Sequence, residues 1–373
     1  HIDPRQFGSV RGSSTVHYLL SLVDCILRET DKSGTIASIC TVDYAKAFDA
    51  IDHTVLVTKM INMGVSKSII SVVCDFLSNR SQTVRLGGIT SQVQSITCGV
   101  PQGTKLGPIL FLIMINDAAD FTPNRWKYVD DLTLAEFRKH TQQSQLQDQV
   151  SQLTQWSSTN HMTPKPSKCK ILNICFMRNP PPFPEIKIGD SVLQEVTHLS
   201  LLGVTLQCNM KWDQQIDLVV QKASRRLFML CILKKYNASC SDLVTIYASH
   251  IRPILEYASP VWSSSITCQQ SEKVERVQRR VTKIILGFTP LTYDERLESL
   301  NLPSLQARRI ELDAKFAHSL LTSRHRDLLP PSKDSLPNFR PLRNNHGLVI
   351  PRCRTSRYQN SAVPSLVRAI NKP

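Results

Sequence analysis

The sequence lacks any apolar run long enough to cross a membrane. Its longest candidate, Pro108 to Ile115, ends after eight residues at Asn116 and Asp117, whereas a transmembrane helix needs about 18 or more. The start of the chain also lacks a basic stretch leading into an apolar one, so the sequence predicts no signal peptide. We therefore expect no membrane partner, and because no initiator Met precedes His1 we expect a fragment.

The cysteines lack the spacing of a zinc site or of a disulfide framework. Eleven of them are scattered along the chain, and no two form the Cys-x-x-Cys pair of zinc and redox motifs. Several lie among apolar residues, as Cys40 does after Ile39, where a reduced cysteine behaves as a small hydrophobic residue. The pattern predicts an intracellular protein of the nucleus or cytoplasm rather than a secreted one.

Acidic residues are scarce in the second half. Up to residue 204 the chain has 19 basic and 17 acidic residues, and after it 26 and 13. Most of the formal charge of +15 therefore belongs to the second half, which fits a polyanionic partner, although an anionic membrane surface would also fit. No acidic residue follows Asp334, and we expect this tail to be loosely ordered. Its basic residues are Arg340, Arg343, Arg352, Arg354, Arg357, Arg368 and Lys372.

The spacing of apolar residues predicts an α+β protein with a helical second half. Before the Pro-rich run 180–184, which neither a helix nor a central strand can contain, helical and strand-like patterns alternate. After it, apolar residues at helical spacing dominate. The predicted elements are helices over Val16–Leu27 and Ser66–Leu77 (with Ser66 as N-cap), a strand over Thr35–Val42, hairpins over 82–97 and 185–193, and helices over 213–235 and 273–285.

The last of these helices carries a basic stripe. Lys273, Arg276, Arg280 and Lys283 recur at helical spacing beside the apolar positions. A solvated face explains such a stripe as well as nucleic-acid contact does, and basic amphipathic helices also bind membranes and partner proteins. On the stripe alone these interpretations stay open.

Acidic residues at two strand ends carry the chemistry of the first half. Asp43 follows the strand-like run, and Asp130-Asp131 join two strand-like pieces 87 residues further on. Alone, an Asp at such a place is usually an N-cap, our preferred interpretation of Asp49, or a polar hairpin tip. Brought together, carboxylates repel unless hard cations neutralise them, and such oxygen ligands suit Mg²⁺. Two such ions can activate an attacking hydroxyl and stabilise a leaving oxygen in phosphoryl transfer.

A Gly-rich segment, Cys98 to Pro108, lies between these acids. Its Pro101-Gln102-Gly103 turn has a backbone poor in side chains, which lets a base or sugar approach closely. Gln102 can both donate and accept hydrogen bonds. A simple turn before a buried helix explains the same residues.

In this order and at this spacing, the three segments resemble the A, B and C motifs of reverse transcriptases. The resemblance is closest to the enzymes of non-LTR (LINE-type, jockey-like) retrotransposons, and it extends over nearly the whole chain. The further matching segments are Gln6-Phe7-Gly8 with Arg11 to Thr15 at the start of the palm, Trp156 to Lys168 as the D motif, Leu202-Gly203-Val204 with Trp212 as the primer-grip hairpin, and Leu255 to Trp262 after the thumb.

The resemblance implies an α+β right-hand polymerase with an antiparallel palm sheet packed on helices. Residues 1–207 would form partial fingers and the palm, 208–290 a helical thumb and connection, and 291–373 a basic, partly disordered C-terminal extension. The endonuclease and part of the fingers are expected in this family and are not present in the sequence. Val129 stands where these elements usually carry Ala, Lys165 where they carry Asn, and Leu201 where they carry an aromatic residue.

The resemblance also assigns catalytic roles. Asp43 and Asp130 would bind two Mg²⁺ ions, with Mn²⁺ as a possible substitute, while Asp131 supports the site and the Tyr44 carbonyl adds a ligand. Lys168 would be the general acid for the leaving pyrophosphate.

Further residues would contact nucleotide and nucleic acid. Phe48 matches the family's sugar gate, whose ring excludes a 2′-hydroxyl, although a core aromatic is the alternative. The remaining assignments are Gln102, Gly103 and Arg11 to the incoming nucleotide, Leu202 and Gly203 to the primer grip, and Lys222, Arg225, Arg226, Lys273, Arg276, Arg280 and Lys283 to the nucleic-acid backbones.

The predicted function is that of an RNA-directed DNA polymerase, which adds dNTPs to a DNA primer on an RNA template. Two alternatives stay open. One is a catalytically inactive remnant that binds RNA or RNA–DNA hybrid. The other is an RNA-dependent RNA polymerase, which would need a polar residue in place of Phe48 to engage the ribose hydroxyl.

Overall fold

The computed structural model of the protein describes residues 1–335 and 347–372. The chain packs into two compact units. Unit 1 consists of residues 1–18, 36–173 and 177–196, and unit 2 consists of the described residues among 19–35, 174–176 and 197–373. These units are defined by packing alone, so the functional boundaries at residues 207 and 290 stay predictions.

Helices and strands alternate up to residue 196, which confirms the predicted mixed layout. The predicted strand over Thr35–Val42 is present with the same bounds. The elements are α1 (Thr15–Thr30), β1 (Thr35–Val42), α2 (His53–Asn62), α3 (Lys67–Leu77), β2 (Arg80–Gln82), β3 (Arg85–Leu86), β4 (Ile89–Thr90), β5 (Gln94–Ile96), α4 (Leu106–Met114), β6 (Arg125–Tyr128), β7 (Asp131–Lys139), α5 (Leu146–Thr159), β8 (Lys170–Ile174), β9 (Lys187–Ile188), β10 (Ser191–Val192) and β11 (Gln194–Glu195).

A five-stranded sheet in the order β11-β8-β1-β7-β6 forms the centre of this part of the chain. Its middle strand, β1, has neighbours on both sides and is buried along most of its length, which is why its apolar residues lie on both faces instead of alternating with polar ones. Helices α2, α4 and α5 contribute Leu56, Phe111 and Leu153 to the same buried cluster. The sheet thereby has a rigid packed core beneath the ends of its strands.

Both predicted hairpins are present, the first in a divided form. Strand β2 pairs with β5 and β3 with β4 in two short separate ladders, so the hairpin is interrupted midway. Strands β9 and β10 pair around Gly189-Asp190 as predicted. Ser66 occupies the N-cap position of α3, but its side chain makes no capping hydrogen bond.

The described residues from 197 onward form a short hairpin followed by helices, as predicted. The helices expected at 213–235 and 273–285 are α6 and α10. The elements are β12 (His198–Leu201), β13 (Val204–Gln207), α6 (Asp213–Lys235), α7 (Cys240–Ile246), α8 (Arg252–Glu256), α9 (Ser259–Trp262), α10 (Cys268–Leu286), α11 (Tyr293–Ser299), α12 (Leu305–Leu321), α13 (Ser356–Gln359) and α14 (Ala362–Ile370). No helix in the described ranges is both long and apolar enough to span a bilayer.

The described part of the C-terminal tail, residues 347–372, is more ordered than its composition suggests. Within residues 347–372 it forms α13 and α14, and α14 buries an apolar stripe that contains Val363, Leu366 and Val367. The Asp31 carboxylate accepts hydrogen bonds from the backbone N–H groups of Arg354 and Thr355, at 2.7 and 2.9 Å. Packing and these bonds explain why the expectation of a loosely ordered tail is wrong for these residues. Arg340 and Arg343 lie outside the described residues.

Candidate active site

The three predicted metal-binding carboxylates lie at adjoining ends of two neighbouring strands. Asp43 directly follows β1. In the hairpin of β6 and β7, Tyr128 pairs with Asp131, so that Val129 and Asp130 form a two-residue turn. Because β1 and β7 are adjacent in the sheet, the strand ends bring the first acid to the other two.

The charges of Asp43 and Asp130 act on the third carboxylate, Asp131. Burial, followed by the charges of Asp130 and Asp43, raises the pKa of Asp131 to about 6 against the opposing charge of Lys168. A neighbouring carboxylate disfavours ionisation in this way only at short range. The acids that the sequence separates by 87 residues therefore share one electrostatic environment.

Lys168 lies against the first of these acids. Its ammonium Nζ is 3.3 Å from Oδ2 of Asp43, and the lysine side chain is 57% exposed. The Lys165 N–H donates to the Asp43 carbonyl at 2.8 Å, which fixes the segment that carries Lys168. The structure thus brings this predicted general acid to the carboxylates, while Lys165 contributes only its backbone.

The donor set fits a divalent cation. Oδ1 of Asp43 is buried and accepts no hydrogen bond from any described residue, which leaves a carboxylate oxygen available as a ligand. In residues 1–335 and 347–372, however, no three His, Cys, Asp or Glu side chains already stand close enough to hold a metal ion. The carboxylates are therefore neighbours whose mutual repulsion a hard cation would relieve.

Tyr44, the predicted source of a carbonyl ligand, is fixed by backbone pairing with the D-motif segment. Ala45 N–H donates to the Thr163 carbonyl at 2.9 Å, and the bond from Lys165 to Asp43 lies on its other side. Neither bond uses the Tyr44 carbonyl. The Tyr44 side chain points into the core, where burial raises the pKa of its phenol.

Phe48 lies beside the Gln102 turn. Its half-buried ring stacks on the buried ring of Phe111, with centroids 4.5 Å apart and planes inclined by 20°. Its carbonyl accepts a hydrogen bond from the Val100 N–H at 2.9 Å. The predicted sugar gate and the predicted nucleotide-binding turn are therefore joined, and Phe48 also packs as a core aromatic.

Asp49 holds Gln102 and is not an N-cap. Its Oδ1 accepts a hydrogen bond from Nε2 of Gln102 at 2.9 Å. The helix expected near Asp49 begins instead at His53, and its N-cap is Asp52, whose carboxylate accepts from the N–H groups of the next turn. The capping prediction for Asp49 is thus wrong. Two candidate Asp residues precede the helix, and only the second is adjacent to its first turn.

Two other predicted nucleotide contacts are exposed. Gly103 has a positive φ of 79° and open space around the position of a Cβ. Arg11 is exposed before α1, and in the part of the chain that the structure describes no hydrogen bond or ion pair joins it to another predicted site residue. The role of Arg11 as a nucleotide contact stays a prediction.

The predicted primer-grip residues form the turn between β12 and β13. Leu201 pairs with Val204, so Leu202 and Gly203 are the two central residues, with positive φ of 45° and 81°. The hydroxyl of Tyr257 donates to the Leu202 carbonyl at 2.8 Å. This turn exposes backbone rather than acidic side chains.

The predicted basic residues are exposed on α6 and α10, and several have partners. Lys222 and Arg226 line a groove that also contains Gly203. On α10 the cations are partly neutralised, because Lys273 pairs with Asp217 at 2.9 Å and Arg276 with Glu272 at 3.7 Å. The remaining predicted contacts, all exposed, are Arg225, Arg280 and Lys283.

A strand-end Asp beside a hairpin that carries two further acids, on a sheet packed against helices, is the arrangement of the palm of a template-directed nucleotidyltransferase. The family model described as reverse transcriptase (RNA-dependent DNA polymerase) matches residues 1–206. The chain belongs to this family, which confirms the predicted α+β polymerase fold and the class of enzyme. Reverse transcriptases generally use divalent metal ions.

Known relatives agree with the predicted jockey-like affiliation. The RNA-directed DNA polymerase from mobile element jockey of Drosophila melanogaster is 24% identical over 84% of this chain and 35% of its own length. The probable RNA-directed DNA polymerase from transposon BS of the same organism is 23% identical over 92% and 38%. The chain thus spans about a third of these relatives' length. Among solved structures, apo telomerase from Candida tropicalis has a TM-score of 0.43 and 13% identity, over 87% of this chain and 57% of its own.

Proposed function

We propose that this chain is the polymerase part of a retrotransposon protein and acts as an RNA-directed DNA polymerase. It adds dNTPs to the 3′ end of a DNA primer on an RNA template. The observation that carries the proposal is the placement of Asp43, Asp130 and Asp131 at adjoining strand ends, where the charges of the first two act on the third, beside a buried Asp43 oxygen without a hydrogen bond.

In this function Asp43 and Asp130 would hold two Mg²⁺ ions, or Mn²⁺ in their place, with Asp131 and the Tyr44 carbonyl as supporting groups. Such ions lower the pKa of the attacking hydroxyl and neutralise charge on the leaving group. Lys168, held 3.3 Å from Asp43, donates a proton to the departing pyrophosphate.

The segments around Phe48 and Gln102, which a backbone hydrogen bond joins, select the nucleotide. The Phe48 ring excludes a 2′-hydroxyl by occupying its space, and its stacking on Phe111 keeps the ring from moving aside. Gln102 and Gly103 lie against the incoming nucleotide, with Gln102 oriented by Asp49. Arg11 stays a proposed triphosphate contact that rests on the family motif alone.

The nucleic-acid partners bind through the basic helices. Exposed Lys and Arg of α6 and α10 neutralise phosphates of the RNA template and DNA primer, and the turn at Leu202 and Gly203 contacts the primer. Because these contacts neutralise phosphate charge, we expect nucleic-acid binding to weaken steeply as the salt concentration rises.

Primer extension on poly(rA) and oligo(dT) with Mg²⁺ tests the proposal. We expect wild type to incorporate dTTP, and Asp130→Asn to lose about 10³-fold, since several kcal/mol of charge stabilisation correspond to that factor. Asp190→Asn is the matched control, because Asp190 is also the second residue of a two-residue hairpin turn. It is expected to extend like wild type.

Three results would contradict the proposal. Equal incorporation by wild type and Asp130→Asn would remove the polymerase function, and salt-sensitive hybrid binding without extension would favour the inactive remnant. Preference for rNTPs over dNTPs in the same assay would favour an RNA polymerase.

A further inference from the structure

The turn that carries Asp130 has an unfavourable backbone conformation. Val129, its first central residue, has a φ of 59°. Residues with a side chain rarely adopt positive φ, and a β-branched residue such as valine does so least. In two-residue hairpins this position is usually a glycine or asparagine. The conformation therefore depends on contacts from outside the turn.

A segment near the start of the chain supplies such contacts. Residues Asp3 to Gly8, here called the strap, run along β6. Phe7 N–H donates to the Lys127 carbonyl at 2.8 Å, and Lys127 N–H donates to the Arg5 carbonyl at 3.0 Å. The strap thus extends the pairing of β6 up to the turn.

The strap ends on Val129 itself. The side chain of Gln6 is 1% exposed, and its Oε1 accepts hydrogen bonds from the N–H groups of Gly8 at 2.9 Å and Val129 at 3.0 Å. The backbone of Gly8 is so close that an added Cβ would lie 2.6 Å from both N and Cγ2 of Val129. A buried acceptor and a close backbone together hold the Val129 peptide.

The strap is anchored independently of the carboxylates. Its Asp3 carboxylate pairs with Arg125 at 2.9 Å and with the buried Lys127 ammonium at 2.6 Å. That ammonium also donates to carbonyls just after α4, including those of Asn116 and Ala118. Because these groups are buried and paired, the strap is a fixed support for the turn.

We propose that Gln6 is a positioning residue, which holds Val129 in its left-handed conformation and thereby directs Asp130 toward the Asp43 end of β1. The inference rests on the proposed polymerase function. Without the Gln6 acceptor the Val129 N–H is unpaired and the turn relaxes toward negative φ. Asp130 then rotates away, and binding of divalent ions weakens before binding of template or nucleotide does.

The test uses four proteins: wild type, Gln6→Met, Val129→Gly and the double variant. Met fills nearly the volume of Gln without an acceptor, and Gly adopts positive φ without strain. We expect Gln6→Met to lower extension about 10- to 100-fold at limiting Mg²⁺, with partial recovery at high Mg²⁺. We expect the double variant to regain most of that loss, since its turn no longer needs the support.

Gln215→Met is the matched control. Gln215 is also buried, and its Oε1 also accepts a hairpin N–H, that of Thr205, at 2.9 Å. It is expected to leave the Mg²⁺ dependence unchanged. A Gln6→Met protein with wild-type Mg²⁺ dependence, or a folded one whose loss Val129→Gly does not recover, would overturn the inference.

A readout without activity separates this inference from the proposed function. Urea unfolding of the same four proteins should show coupling between positions 6 and 129, so that Gln6→Met lowers the midpoint less when residue 129 is glycine. If wild type extends no primer, the proposed function fails while this coupling still decides whether Gln6 holds the turn. Additive midpoints would overturn the role of Gln6 in either case.

Discussion

Two hairpin turns in this protein each contain a non-glycine residue at positive φ, and different contacts stabilise them. The turn between β6 and β7 places Val129 at positive φ and has no glycine, whereas the turn between β12 and β13 has Leu202 and Gly203 at positive φ. The first is held by Gln6, 123 residues away. In the second, glycine takes one of the two positions, and the Tyr257 hydroxyl bonds the Leu202 carbonyl.

The two turns differ in their support because they expose different groups, carboxylate side chains in the first and backbone in the second. A non-glycine residue at positive φ destabilises the fold by about 1–3 kcal/mol, and it persists where contacts from the surrounding structure hold it in place. The first turn presents adjacent carboxylates at the end of the sheet, and its conformation depends on distant support. The second presents backbone, and its one non-glycine residue at positive φ, Leu202, accepts a hydrogen bond from the Tyr257 hydroxyl. We therefore expect substitutions around the first turn to affect catalysis and those around the second to affect binding.

Among substitutions that test the supports of the two turns, the largest effect is expected from Gly8→Ala. The new Cβ would lie 2.6 Å from the Val129 backbone nitrogen, so the strap or the turn must move and Asp130 moves with it. We expect extension to fall about 100-fold, at the upper end for loss of a supporting contact to a metal site. Single-nucleotide extension at a series of Mg²⁺ concentrations measures it, and wild-type extension at every concentration would refute the close approach.

Gly203→Ala is the corresponding change in the second turn, with a smaller expected effect. At a φ of 81°, and with Tyr257 3.2 Å from the added Cβ, alanine costs about 1 kcal/mol or more. We expect template–primer to bind roughly fivefold more weakly, since 1 kcal/mol corresponds to about that factor. Fluorescence anisotropy measures the dissociation constant. A loss of rate at saturating template–primer with unchanged binding would reverse the comparison between the turns.

Asp49→Ala tests a third turn, that of Gln102, whose side chain donates a hydrogen bond to the distant Asp49 carboxylate. Without its acceptor the Gln102 amide is free to rotate, and a hydrogen bond to a charged group contributes about 1.5–3 kcal/mol. We expect KM for dNTP to rise about five- to tenfold with a smaller change in kcat. Asp49→Asn keeps an acceptor oxygen and should stay within about threefold of wild type. If Asn is as harmful as Ala, the charge matters rather than the hydrogen bond.

Asp24 provides a pH test that does not depend on the proposed metal-binding carboxylates. Burial raises its pKa to about 6, and Arg28, 3.3 Å away, opposes the shift. Because the folded pKa lies above that of the unfolded chain, the stability this carboxyl contributes is present below about pH 4 and is lost as pH rises through about 6. Asp24→Asn should therefore stabilise the protein by about 1 kcal/mol at pH 7.5, with less gain at pH 4.5.

Urea unfolding at these two pH values measures this effect. Arg28→Gln is the companion variant, because removing the cation raises the pKa of Asp24 further and steepens the loss of stability with pH. A gain from Asp24→Asn that is equal at both pH values would contradict the raised pKa.

Local patterns predicted the framework of the fold. Strand β1 and helices α6 and α10 were predictable because each has an apolar period or run of its own. The carboxylate site was predictable only through the order of the motifs, since no single Asp stands out. The prediction of a loosely ordered tail was wrong for residues 347–372 because it rested on their basic charge and overlooked the apolar spacing in α14.

The supports of the site could not be predicted from the sequence. The bond from Gln6 to Val129 joins residues 123 positions apart, and that from Gln102 to Asp49 spans 53. Neither belongs to a helical or strand period, so only the folded chain brings the partners together. The positive φ of Val129 could not be predicted either, because β-branched residues such as valine very rarely adopt positive φ.

Iron-directed backbone cleavage examines whether distant segments share one cation. Fe²⁺ with ascorbate and peroxide replaces Mg²⁺ and cuts the chain near the bound ion. We expect cuts in wild type around residues 43–44 and 129–131 together, with Mg²⁺ competing, and their joint loss in both Asp43→Asn and Asp130→Asn. Cuts at only one of the two segments, or a pattern that either substitution leaves intact, would contradict a shared metal site.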